Sequence, residues 1–255
     1  MTSAMPRTAL IMQARMGSTR LPGKSMMDMA GQPLVGRIIE RVKRCETPDV
    51  VVLATTEKPE DDTLAALAEE HGIPCFRGSE NDLVKRYLDA AARYGAELIL
   101  RLPADNAAPE PSEIDRMARH HLAQGHVYST NLVPILGNGY PDGIGTEAID
   151  PKALAWVAAN VDDPRRREHP HLNFFDFDND RPADPDRFEV GTVTCPPEFA
   201  RPDLVIDINT AEQYAYCKAM YEYLYPRNPE FHITDIIAWH DTVWVPAHGK
   251  PDFHR

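Results

Sequence analysis

The chain has 255 residues, 43% hydrophobic and 26% charged, with 39 acidic against 27 basic side chains and a formal charge of -12. That length buries a sizeable core in one domain or two small ones, and the charge argues against nucleic acid or an anionic membrane as the main partner while leaving room for a small anionic substrate drawn by local potential. No apolar run approaches the roughly 18 residues of a membrane span and the N-terminus lacks a leader's long apolar core, so a cytoplasmic protein is expected.

The first half alternates short apolar runs with helix-period segments. Strands are predicted over 8–13, 49–55, 73–76 and 97–102, and helices over 33–44, 60–71 and 81–94. Pro33, the acidic trio Glu60, Asp61 and Asp62, and Ser79 or Asn81 mark the three helix starts. Gly72 and Gly95 stop the second and third helices. Continuous apolar strands separated by helices predict an α/β domain, a mostly parallel sheet covered on both faces. After about residue 126 the pattern loosens into a Gly/Pro-rich loop, a helix near 151–160, an Arg/His stretch and proline-rich turns. Order returns with a strand predicted over 203–208 and a helix over 210–224. The expectation is one domain over 1–240, with an acceptor or dimerisation lobe at about 131–200. The tail 241–255 is left as a lid, a dimer arm or a disordered end. Cys45, Cys75, Cys195 and Cys217 lie far apart without a C-x-x-C pair, which predicts reduced thiols and no zinc ribbon.

Between the first strand and Asp28 there is no acid, yet Arg15, Arg20 and Lys24 stand among glycines and hydroxyls. Two guanidinium forks and an ammonium, in a loop at the carboxyl end of a parallel strand, suit a triphosphate. Two familiar phosphate motifs fail here. From Gly17 to Gly23-Lys24-Ser25 there are five intervening residues where a P-loop has four, Pro22 among them, and Gly31 and Pro33 interrupt the helix that a P-loop lysine would open. Gly137 and Gly139 are followed by Asp142 where a dinucleotide fingerprint needs its third glycine.

The run Gln13-Ala14-Arg15-Met16-Gly17-Ser18-Thr19-Arg20-Leu21-Pro22-Gly23-Lys24 resembles the signature of the cytidylyltransferases that make CMP-linked sugar acids, the Kdo and acylneuraminate type, and especially their spore-coat polysaccharide subgroup. The likeness continues through Ala54-Thr55-Thr56, Phe76 to Glu80, Arg101 to Asp105, Tyr140 to Gly143, Arg167-Glu168-His169 and Asp207 to Glu212. It implies a GT-A-like nucleotidyltransferase fold, CTP as donor, Mg²⁺ as cofactor, an anionic small-molecule acceptor and a tendency to form a homodimer.

Carried over residue by residue, the resemblance assigns Lys24, Arg15 and Arg20 to the triphosphate as catalytic cations. Ala14, Arg15, Ser18, Arg20, Lys24, Arg77, Ser79 and Arg86 fall to the nucleotide. Arg86, at a helix position, is equally compatible with a solvated face. Asp105, directly after a strand, is the metal aspartate. Asp207 and Asn209, two apart and so on one side of a strand, complete the metal set, with an amide where relatives carry a carboxylate. Tyr140, Asp142, Glu147, Arg167 and His169 are assigned to the acceptor, a nonulosonic or octulosonic acid, another sugar acid or a phosphonate. His169 and His171 alone are too few for a zinc site. Two other readings stay open: a nucleotidyltransferase using another nucleotide and sugar phosphate, and a non-catalytic nucleotide-binding regulator.

Overall fold

Apolar runs too short for helices but rich in β-branched and aliphatic residues become strands, and the amphipathic segments between them become the helices that cover them. The computed structural model describes residues 7–18 and 20–253; Thr19 of the basic loop and His254 of the tail lie outside the described residues. The first half runs β1 (Thr8–Gln13), α1 (Leu34–Val42), β2 (Val50–Thr56), α2 (Asp62–Glu70), β3 (Cys75–Gly78), α3 (Leu83–Tyr94) and β4 (Leu98–Pro103), the expected alternation. It continues as α4 (Pro111–Gln124), β5 (Tyr128–Thr130), β6 (Glu147–Ile149), α5 (Pro151–Asn160), α6 (Pro164–Glu168), β7 (Phe175–Asp176), β8 (Arg181–Pro182), β9 (Val190–Gly191), α7 (Ala211–Leu224), α8 (Ile233–Trp239) and α9 (Val245–His248).

Seven strands form one sheet in the order β3-β2-β1-β4-β6-β5-β9. β1, β2, β3 and β4 are mutually parallel, β6 is antiparallel to both β4 and β5, and β9 is parallel to β5. The chain steps outward from β1 to β3 and then returns to the other side of β1 as β4. That reversal opens a crevice at the carboxyl ends of β1 and β4, where open α/β sheets bind ligands.

The period-two alternation of β1 divides the core between the two faces. Leu10 and Met12 pack with α1, α2, α7 and α8, while Ala9 and Ile11 pack with α3 and α5. Gly95, at φ 67°, caps α3 in the left-handed region, as its sequence position predicts.

Several local expectations give way. Asp82 starts α3, in place of Ser79 or Asn81: its carboxylate accepts from the Lys85 amide at 2.9 Å, and the Ser79 hydroxyl accepts from the Asp82 amide at 3.2 Å. Glu60 and Asp61 sit in a 3₁₀ turn before α2 and leave only Asp62 in its first turn. The stretch 203–208 is not a ladder strand; it makes isolated bridges, Val205 with Asp142 and Asp207 with Asn106. Residues 131–200 contribute β6 and β9 to the main sheet and α5 to its face, while β7 and β8 pair apart from it. The boundary expected at 240 falls inside a continuous helical run, α8, a π-helical turn His240–Trp244, and α9. Beyond it, Phe253 returns to the Tyr216 ring at 5.4 Å, so the described part of the tail packs on α7.

Candidate active site

The loop after β1 is held open by its own backbone. The Gly23 amide donates to the Met16 carbonyl at 3.1 Å, and Gly23 adopts the left-handed φ of 72° that glycine favours. The Ser25 hydroxyl ties back to the Arg15 carbonyl at 3.2 Å. Lys24 and Ser25 occupy a three-residue 3₁₀ turn and do not open a long helix, as the failed P-loop spacing predicts.

Asp61 anchors this loop from below. Fully buried, its carboxylate accepts from the Met16 amide at 2.7 Å, from the Thr56 amide at 3.3 Å and from the Thr56 hydroxyl. The sequence had placed it in a helix first turn for the dipole. What it does is tie the loop after β1 to the end of β2.

A cleft open to solvent lies at the β1–β4 switch point. Gln13, Ala14, Arg15, Ser18, Arg20 and Lys24 line it from the loop side, Leu83 and Arg86 from α3, Asp105 from the end of β4, and Glu168 and His169 from the C-terminal end of α6. Lys24 Nζ donates to Asp105 Oδ2 at 2.9 Å and to the Ile208 carbonyl at 2.7 Å. Arg15 meets Glu168 at 3.2 Å. Arg86 is 2% exposed, which removes the solvated-face alternative; it donates to the carbonyls of Ser79 at 2.7 Å and Glu80 at 3.0 Å.

Next to Lys24, the backbones of 105–107 and 206–208 clasp each other: Ile208 N donates to Asp105 O at 2.9 Å and Ala107 N to Ile206 O at 3.0 Å. The clasp brings Asp207 and Asn209 to Asp105. Burial first, and then the neighbouring Asp105 carboxylate, push the Asp207 carboxyl up to about 6, against the pull of Lys24. Asn209 donates its amide N–H to Asp207, and its Oδ1 is buried with no hydrogen-bond partner among the described residues. Two converging carboxylates, one of them reluctant to ionise, beside an orphaned amide oxygen are a donor set that fits a hard divalent cation.

The other assigned residues divide. His169 is in the cleft wall, and burial holds its imidazole below the ordinary histidine range, hence neutral near pH 7. Arg77 is used as a clamp on the backbone, donating to the carbonyls of Thr56 at 2.8 Å and Lys58 at 2.7 Å and pairing with Asp62. Ser79 braces the start of α3. Tyr140 is fully buried with its phenol against Glu113 and Arg116, Asp142 is bridged through its backbone to Val205, and Arg167 pairs with Asp82 and the Ala158 carbonyl. These three are not brought to the cleft, because internal partners already hold them. Glu147 stands one layer behind the cleft, ion-paired to Arg101 at 2.5 Å within the core. Asp61, Gln13 and Glu168 were missed by sequence reasoning, although Gln13 and Glu168 lie inside the quoted motifs.

Residues 9–173 match the family described as Cytidylyltransferase. The chain is 30% identical over 217 residues, 83% of its length and 85% of the relative's, to the spore coat polysaccharide biosynthesis protein SpsF of Bacillus subtilis. It is 31% identical over 155 residues to a 3-deoxy-manno-octulosonate cytidylyltransferase of an Anaeromyxobacter species, 55% of this chain and 62% of that one. Among solved structures, a cytidylyltransferase from Leptospira borgpetersenii superposes with a TM-score of 0.82 at 27% identity, covering 98% of this chain and all of that one.

Proposed function

The chain belongs to the cytidylyltransferase family and is a nucleotidyltransferase, and from that premise we propose that it transfers the cytidylyl group of CTP to an oxygen of an acidic small molecule, releasing pyrophosphate with Mg²⁺ as cofactor. Family membership sets aside the non-catalytic regulator. The observation that carries the proposal is the convergence at one switch-point cleft of Lys24, Arg15 and Arg20 with Asp105, to which the backbone clasp joins Asp207 and Asn209.

Transfer needs the acceptor oxygen to reach the α-phosphorus while pyrophosphate departs, so the protein's work is positioning and charge neutralisation. The loop after β1 presents the triphosphate side, with Arg15 and Arg20 able to fork onto phosphate oxygens. Lys24 is fixed between Asp105 and the Ile208 carbonyl, beside the metal cluster, where it can neutralise charge developing on the departing pyrophosphate. Asp105, Asp207 and Asn209 would hold the Mg²⁺, which when bound lends positive charge to the phosphates and lowers the pKa of an acceptor hydroxyl. Neutral His169 and Glu168 close the far wall, where the acceptor would enter.

The test is pyrophosphate release with CTP, UTP, ATP and GTP, with and without Mg²⁺, against Kdo, sialic-type acids, other sugar acids and small phosphonates. CTP-selective, Mg²⁺-dependent release with one acid is expected. Release that favours UTP, or that persists after chelation, would contradict the reading.

A further inference from the structure

Gln13 closes β1 on the α3 side of the cleft. The alternation that sends Ala9 and Ile11 to that face sends Gln13 there too, directly over a polar cluster of buried Tyr87, Arg101 and Glu147 with half-buried His171. The Tyr87 hydroxyl donates to Gln13 Oε1 at 2.7 Å, and Arg101 donates to the same oxygen from 3.4 Å. A guanidinium has donors only, so the Gln13 atom facing it must be the carbonyl oxygen. The amide flip is therefore fixed by chemistry.

That cluster is expensive to keep. Arg101 and Glu147 are each 3% exposed and paired at 2.5 Å, an arrangement that an apolar pair of similar volume often matches or betters in stability. At the cleft wall the cluster orients the Gln13 side chain. With both partners on the oxygen, the Gln13 Nε2 hydrogens are what remains for the cavity that Gln13 lines.

Building on the cytidylyltransferase reading of the cleft, we propose that Gln13 is a specificity-determining residue: its fixed amide N–H pair donates to an acceptor-only oxygen of the bound substrate, a pyrimidine carbonyl or the anionic group of the acid. Tyr87 and Arg101 are its positioning residues. A misplaced or repelling group at this point leaves a substrate oxygen unpaired, and sites built on such hydrogen bonds reject the wrong partner strongly.

Gln13→Glu tests this cleanly. The carboxylate still accepts from Tyr87 and Arg101, so the buried cluster is satisfied, but the cavity side changes from donor to anion. Calorimetric titration with CTP and the KM for the panel acid that supports pyrophosphate release are measured alongside the thermal midpoint. With the midpoint held within a few degrees, a tenfold or greater rise in the CTP Kd assigns the oxygen to the nucleotide. The same rise in the acid's KM, at an unchanged CTP Kd, assigns it to the acceptor. Tyr87→Phe, which frees one of the two groups holding Oε1, should move the same constant about two- to fivefold. If Gln13→Glu leaves both constants within twofold of the wild type, the proposal is overturned. A wild type that does not bind CTP at all would instead overturn the reading of the cleft.

Discussion

Lys24, in the cleft wall, is fixed by two acceptors, Asp105 at 2.9 Å and the Ile208 carbonyl at 2.7 Å, and the proposed function gives it the charge that develops in the transfer. Lys24→Ala is expected to lower kcat by about 10²- to 10³-fold while shifting the CTP Kd less than tenfold, the pattern of an interaction that strengthens in the transition state. Equal losses in the two would place its contribution in ground-state binding. Asp61 acts at the same scale but through the backbone. Asp61→Asn weakens a buried set of hydrogen bonds to Met16 and Thr56, so unfolding in urea should show a loss of about 1.5–3 kcal/mol, with a raised KM for CTP. A stability loss without any change in KM would mean that Asp61 does not shape the phosphate loop. The basic residues of this loop were readable in the sequence because they break an acidic background. Asp61 was not, since an aspartate two residues after a proline reads first as a helix-start signal, and only the fold shows that it points inward.

At the scale of elements, the four parallel strands and their crossover helices were legible because each carries its own periodic signal. β5, β6 and β9 were not, being three, three and two residues long and therefore too short to show any period. DLVIDI at 203–208 looks like a strand and is extended, but its neighbours are the 105–107 and 140–142 loops, so it forms bridges and not a ladder. Those bridges deliver Asp207 to Asp105. A motif carries residue types without their partners, so the sequence does not show that Tyr140, Asp142 and Arg167 lie outside the cleft wall; Glu113, Leu204 and Asp82 decide where these groups sit. The same loop imposes a close approach at Gly145, where a Cβ would lie 2.2 Å from the Asn131 carbonyl oxygen. Backbone cannot yield as a flexible side chain can, so Gly145→Ala is expected to destabilise by more than about 2 kcal/mol or to prevent folding. A denaturation midpoint equal to the wild type would show that the 131–145 packing is looser than drawn.

At the scale of the whole molecule, two histidines, His121 and His171, make stability depend on pH. Burial, with like charge from His126 and His120, lowers His121 to about 4, and His121 is hydrogen-bonded to Ser129 at 3.0 Å. Burial and the Arg101 guanidinium hold His171 well below the ordinary value. Both stay neutral in the folded chain and protonate near 6.5 in the unfolded one, so the unfolded state binds more protons as pH falls below 6.5 and stability drops there. For His121 alone the loss between pH 6.5 and 5 is about 1.5 kcal/mol, and His121→Gln should flatten that slope in urea denaturation. A slope unchanged in the variant would assign it to other groups. Activity, in contrast, is assigned by the proposed function to one cleft at one switch point, and turns on which bond of CTP is broken. CTP labelled with ³²P at the α-phosphorus, or separately at the γ-phosphorus, tests this directly in turnover with the acid that the panel identifies. Cytidylyl transfer predicts that the α label moves with the acid and the γ label leaves as pyrophosphate; a γ label recovered in the acid would establish phosphoryl transfer and contradict the account.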